Sequence, residues 1–203
     1  MNYNTISNWR ATWATSSGTK KLAIQNAQNM NELISIAIDK AHAPSVIRAL
    51  STGGKSTQNA RKAVKNDLMP QLSNLFKQSS MSQKAYDDFA KTACEKIKER
   101  YHNEGIADYT LGNAQKLLNM TMIYILSSDL TDTTWPIWDV VHIPIDARIM
   151  ATAKKKLGVD PMPDAWSKTD NWDSIQKYQA DLRNAVGQAA PNKCSMEWEV
   201  ENW

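Results

Sequence analysis

No stretch of this chain alternates apolar and polar residues the way a half-buried strand must. Only 7 glycines and 7 prolines punctuate 203 residues, few for a β-rich fold with many tight turns. Apolar residues recur instead at helical spacing. Leu22, Ile24, Ala27, Met30, Leu33, Ile34, Ala37 and Ile38 mark one amphipathic helix over 20–40. Pro44 to Leu50 reads as a short helix, and Ser51 to Gly54 breaks the chain. Further helices are predicted over 55–68, 71–78, 82–101 and 113–126, then from near Pro144, and over 173–186. Segments 127–134 and 158–173 read as loops, and the chain closes in a Trp-rich acidic tail. The expected fold is all-α, a compact two-lobed helical bundle with a cleft between lobes, built as one domain over 1–203.

Composition removes several function classes. No window approaches the roughly 18 consecutive apolar residues of a membrane span, and residues 1–5 lack a signal-peptide pattern, so a cytoplasmic protein without membrane partners is expected. Cys94 and Cys194 are too few and too distant for a disulfide framework or a CxxC metal site. Three histidines without close partners argue against a zinc enzyme. Charge is unevenly spread. Residues 1–100 carry 15 Lys/Arg against 7 Asp/Glu, a balance of +8, and 101–203 carry 9 against 14, a balance of −5. The basic excess, dense around Lys40, Arg48, Lys55, Arg61, Lys62 and Lys65, suits either a polyanion such as DNA or a solvated helix surface. Eight tryptophans against two phenylalanines offer flat faces for stacking on bases, although core burial is the first reading for any single one of them.

Gly53-Gly54-Lys55-Ser56-Thr57 superficially suggests a phosphate-binding loop. That loop needs a glycine where Ala49 stands and a strand ahead of it, so it is rejected as a nucleotide site and kept as a basic turn able to touch a DNA phosphate. Two other segments carry more. One is Tyr109-Thr110-Leu111-Gly112-Asn113-Ala114-Gln115-Lys116-Leu117-Leu118-Asn119-Met120, and the other is His142-Ile143-Pro144-Ile145-Asp146-Ala147-Arg148-Ile149.

Together they resemble the helix–hairpin–helix DNA glycosylase superfamily, in which a glycine-containing turn leads into a helix bearing a lysine. A Pro-Val-Asp-x-x-[Val/Ile] signature then opens a later helix. Pro144 to Ile149 is similar to that signature with Ile in place of Val. The separation of 30 residues between Lys116 and Asp146 is similar to that of the archaeal 8-oxoguanine glycosylase branch. The resemblance covers about 105–157. The Leu-Pro-Gly-Val-Gly hairpin is absent and only Gly112 remains of it, which puts the usual hairpin-to-phosphate contact in doubt.

The residue types fit the chemistry on their own terms. Cleaving a C1′–N bond develops positive charge on the sugar, which an ionised carboxylate stabilises. An amine nucleophile gives a Schiff base and permits strand scission. Lys116 is placed in the first turn of its helix, where the dipole disfavours the ammonium form, and Asp146 at a helix start, where the dipole favours the carboxylate. Each also has a plain reading: Lys116 snorkelling at a helix edge and Asp146 as an ordinary N-terminal helix acid.

The resemblance implies that Met120 lines a base pocket and that Trp198 supplies the aromatic that sandwiches the base. Gln25, Gln28 and His142 are candidate base-edge partners. Gly112, Asn113, Gln115, Arg148 and Lys154 are candidate DNA contacts, with the neighbouring Lys155 and Lys156. The implied function is a monomeric glycosylase on double-stranded DNA, with abasic-site lyase activity through a Lys116 Schiff base. Its substrate is an 8-oxoguanine-like purine, or a bulky modified cytosine of phage DNA in a defence role. It needs no cofactor, and the lack of clustered cysteines excludes an iron–sulfur cluster. The rival is a non-catalytic helical DNA-binding or phage-defence interaction module. A helical RNA nuclease finds no Arg-x4–6-His arrangement in its support.

Overall fold

The computed structural model describes residue 10 and residues 24–42, 56–132 and 134–202. Among them are seven α-helices and no strand: α1 (Met30–Ala41), α2 (Gln58–Leu75), α3 (Gln83–Asn103), α4 (Leu111–Leu126), α5 (Ala147–Leu157), α6 (Trp172–Ala189) and α7 (Ser195–Glu201). Two 3-10 turns, Pro136–Asp139 and Trp166–Lys168, interrupt the loops. The expectations on 44–55, Trp9, Trp13 and Trp203 lie outside the described residues.

Local chemistry sets the helix ends. Asn29 caps α1 by accepting from Glu32 N–H, so the helix expected over 20–40 is interrupted before Met30. Ser82 caps α3 on Ala85 N–H. Thr110 and Asn113 form a reciprocal capping box that starts α4 two residues earlier than the apolar pattern indicated. Gly158, in the left-handed region at φ 73°, ends α5 after three lysines that suit the negative end of its dipole. Pro70 does not split the second helix as expected. α2 runs through it, because burial of Val64, Leu68, Leu72 and Leu75 on one face outweighs the backbone hydrogen bond that proline removes.

α4 is the axle. α1 and α3 pack against it, α2 packs on both of those, and the Trp166–Lys168 turn closes its N-terminal end. α5 and α7 each pack on α6. Buried apolar side chains from all seven helices join in one cluster. No described helix is long and apolar enough to cross a membrane.

Candidate active site

A helix surrounded on every side buries every face. In α4 every residue is buried except one, and that one is Lys116. An amine on such a helix must find a partner or keep a path to water. Lys116 has both. Its Nζ donates to Asp146 Oδ2 at 2.6 Å, and the two side chains retain 12% and 24% of their accessible surface. The pair is thus mostly desolvated yet still reachable from outside.

Asp146 is held there by its backbone. It is the N-cap of α5, with Oδ1 accepting from Ile149 N–H at 2.9 Å, which leaves Oδ2 for the lysine. The extended residues ahead of it have no neighbouring strand, and side-chain amides substitute for one. Gln115 clamps Ile145, with Nε2 donating to its carbonyl at 2.9 Å and Oε1 accepting its N–H at 3.1 Å. Gln179 does the same to Ile143 at 2.7 and 3.3 Å, and Asn119 Nδ2 donates to the Ile143 carbonyl at 3.0 Å. Gln115 and Asn119 lie one turn apart on α4 and are themselves joined at 3.1 Å. The helix that carries the amine therefore also fixes the strand-like segment that carries the carboxylate.

Burial alone raises the Asp146 carboxyl, but the Lys116 charge and hydrogen bond, the Ile149 N–H and the Arg148 charge outweigh it and hold the group below the usual carboxylate range. Lys116 itself is the sixth residue of α4 and lies in its second turn, not the first as expected. The helix dipole fades within one turn, so its influence on the amine is small and the Asp146 contact dominates.

Two further groups feel charges of the pair, and sequence reasoning passed over both. Glu199 on α7 is fully buried, and neither carboxyl oxygen has a hydrogen-bond partner. Burial pushes it up to about 8, with Lys116 and Arg148 pulling against that and Asp146 adding to it. Tyr178 on α6 is buried with its hydroxyl unpartnered. Burial, then the charges of Asp146 and Glu199, push it up to about 12. Tyr178 also lines a cavity of about 250 Å³ with Met162, Pro163 and Lys177, whose lining includes none of Lys116, Asp146 and Glu199. The only signal for Glu199 was its place between Trp198 and Val200 in a tail read as Trp-rich and acidic.

Several expected DNA or base contacts have internal duties instead. Gly112 donates its N–H to Thr169 O at 2.9 Å, and a Cβ there would lie 1.7 Å from Trp166 O, so this glycine serves close packing and not a phosphate. Leu111 N–H, beside it at the helix start, is taken by Asp170 Oδ1. Asn113 is buried in the capping box and Gln115 in the clamp. His142 is buried with Nε2 2.8 Å from Asp87 Oδ1, and burial lowers it despite that carboxylate, so it is a core group and not a base reader. Gln25 and Gln28 are exposed, and Gln28 Nε2 donates to Asn26 O within its own turn.

Met120 is buried one turn beyond Lys116, and Trp198 is buried beside Glu199 on α7. Arg148 lies exposed near Asp146 and Glu199, whose carboxyls both feel its charge. Lys154, also exposed, pairs with Asp160, and Lys156 donates to Asn202. The tryptophan excess is partly core: Trp138 and Trp135 pack on Phe76, and Trp172 is buried. Some of the basic excess is also neutralised locally, Lys65 by Asp39 and Arg100 and Lys96 by Asp67.

No family model matches the chain, and no curated protein or solved structure is significantly similar to it.

Proposed function

We propose that this chain is a DNA glycosylase with abasic-site lyase activity, in which Lys116 is the nucleophile and Asp146 its proton acceptor. The observation that carries this reading is the meeting of an amine and a carboxylate at 2.6 Å, on the one incompletely buried position of an otherwise enclosed helix. DNA seated over the pair strips its remaining water. A desolvated ion pair is costly relative to a neutral amine and a neutral acid, so the proton moves from Nζ to Oδ2. The amine attacks C1′, the C1′–N bond breaks with its electron pair going to the base, the base takes up the proton shed by the resulting secondary ammonium, and Asp146 returns its proton to O4′ as the nitrogen lone pair opens the sugar ring. A Schiff base to Lys116 remains, and Asp146 is again a carboxylate.

The reading includes a bound duplex with one nucleotide extruded, at a cost of a few kcal/mol that is least for a damaged base. It includes the two-lobed organisation with a cleft, a hairpin-like entry to α4, and a monomer acting in the cytoplasm. Phosphate contacts fall to Arg148 and the α5 lysines, since the N-terminal end of α4 is occupied internally. The substrate is an 8-oxoguanine-like purine or a bulky modified cytosine of phage DNA.

Single-turnover base release from two duplexes tests this, one bearing 8-oxoguanine and one bearing glucosylated 5-hydroxymethylcytosine. Release from either, reduced at least about a hundredfold in Asp146→Asn, is expected. No release from either, with the fold intact, makes the pair a structural salt bridge in a non-catalytic DNA-binding or interaction module.

A further inference from the structure

Asp146 reaches Lys116 from an extended segment that no strand accompanies among the described residues, so other groups must hold its buried backbone. Alternate residues of an extended chain present N–H and C=O to the same edge. Ile143 and Ile145 share such an edge, and Pro144 between them has no N–H for the opposite one. Side-chain amides line the shared edge. Gln115 on α4 holds Ile145 by both groups. Gln179 on α6 holds Ile143 in the same way, Oε1 accepting its N–H at 3.3 Å and Nε2 donating to its carbonyl at 2.7 Å. A buried amide is costly unless it is bonded, and both polar atoms of the buried Gln179 are spent on Ile143. Asn119 also reaches the Ile143 carbonyl, but it bonds Gln115 as well and so belongs to both clamps. Gln179 acts on one clamp and comes from a helix that carries neither member of the reacting pair.

We propose that Gln179 is a positioning residue for Asp146, clamping Ile143 from α6 so that the 143–146 segment delivers its carboxylate to the Lys116 amine. This inference rests on the glycosylase reading above. A segment held at Ile145 alone can pivot about that point. Held at Ile143 as well, it cannot swing, and Asp146 stays in reach of the amine. Misplacement by about 1 Å breaks a contact of 2.6 Å, and an error of that size costs up to about a hundredfold in rate. The charge state of Asp146 records its position. Burial raises its carboxyl, while Lys116 on α4, the Ile149 N–H and Arg148 on α5 lower it, and its own charge acts on Tyr178 of α6 and Glu199 of α7. A carboxylate drawn away from Lys116 loses the strongest opposition to burial and keeps its proton to higher pH.

Single-turnover trapping by cyanoborohydride on a duplex with one preformed abasic site tests the role. Gln179→Met, close in shape but without hydrogen bonds, is expected to trap at least about tenfold more slowly at saturating duplex. Its half-saturating duplex concentration is expected to stay that of the parent chain. From about pH 7 down to about 5 the parent rate is expected to remain level, since Asp146 stays ionised, and the Gln179→Met rate to fall as the carboxyl takes up a proton. Leu182→Ala empties buried volume on the same helix but removes no hydrogen bond, so it is expected to melt lower yet keep the parent rate and the level profile. Gln179→Asn holds the amide one methylene short and is expected to show the Gln179→Met slope in weaker form; it decides the matter where Gln179→Met does not fold. A parent-like rate and level profile in the deciding variant overturns the inference and leaves the glycosylase reading standing. Slower trapping on a level profile, or equal losses in Gln179→Met and Leu182→Ala, also overturns it by showing only a weakened α6. A folded parent chain that is never trapped removes the inference and the lyase reading together.

Discussion

Asp146 has two duties on two oxygens, and substitution separates them. Asparagine caps a helix about as well as aspartate, so Asp146→Asn keeps α5 but leaves the mostly buried Lys116 charge without its counter-ion. Catalysis is expected to fall far more than thermal stability. Asp146→Ala loses the cap as well, and is expected to melt lower than Asp146→Asn by the equivalent of about 1 kcal/mol. The pair also shapes the acid limb of stability. With its folded-state value depressed, Asp146 contributes stability above the ordinary carboxylate range that is lost as pH falls through the depressed value. Glu199 works in the opposite sense. Its folded value of about 8 lies above an ordinary 4.5, so the folded state binds more protons and stability falls as pH rises between those values. Glu199→Gln is therefore expected to raise the melting midpoint at pH 8 by roughly 5 °C, with a smaller gain at pH 5. Thermal scans at the two pH values check this. A destabilised variant would show that the carboxylate is tolerated at no cost.

At the scale of elements, the site depends on α4 and the extended segment ahead of α5 being fastened together. Gln115→Leu removes both bonds to Ile145 and leaves its buried N–H and C=O unpaired, at a cost of about 1–3 kcal/mol. It also frees Asp146 to shift, so activity is expected to fall although Gln115 touches neither reacting group. Gly112→Ala drives a methyl into the Trp166 carbonyl, and a clash of that depth costs about 1–3 kcal/mol or more. A melting midpoint equal to that of the parent chain would contradict the described packing of the 166–169 turn on α4. These two positions show why part of the site was legible in sequence and part was not. Lys116 and Asp146 stand out because a lysine inside an apolar helix and an acid after proline at a helix start are local signals. Gln115, Asn119 and Gln179 act only through tertiary pairing with Ile143 and Ile145, and nothing in their local sequence announces it. Gly112 was visible as a glycine, but whether it approaches a phosphate or a protein carbonyl is decided by residues 54–57 positions away. Pro70 misled for a similar reason: propensity breaks a helix there, and burial restores it.

Across the whole molecule, helical periodicity exposed the all-α class because it is a property of each segment alone. The buried acids were missed because a Glu beside Trp in a charged tail looks solvated until α7 packs on α6. The histidines follow the same logic. His42 is buried and lowered to about 3, first by desolvation and then by Arg61 and Lys65, and His142 is lowered by desolvation. His42 therefore stays neutral in the fold over a range where it protonates in the unfolded chain, and it is expected to withdraw stability as pH drops from about 6.5 toward 3, with His142 acting in the same direction. His42→Gln should flatten that slope in denaturant titrations across the range. In a glycosylase with lyase activity Lys116 becomes covalently attached to a sugar. Reductive trapping with borohydride on duplex DNA carrying an abasic site, followed by peptide mapping of the adduct, tests that most directly. The expected result is a DNA–protein adduct on Lys116 that is absent in Lys116→Gln. An adduct on another lysine, or none from a folded protein that binds the duplex, would contradict it.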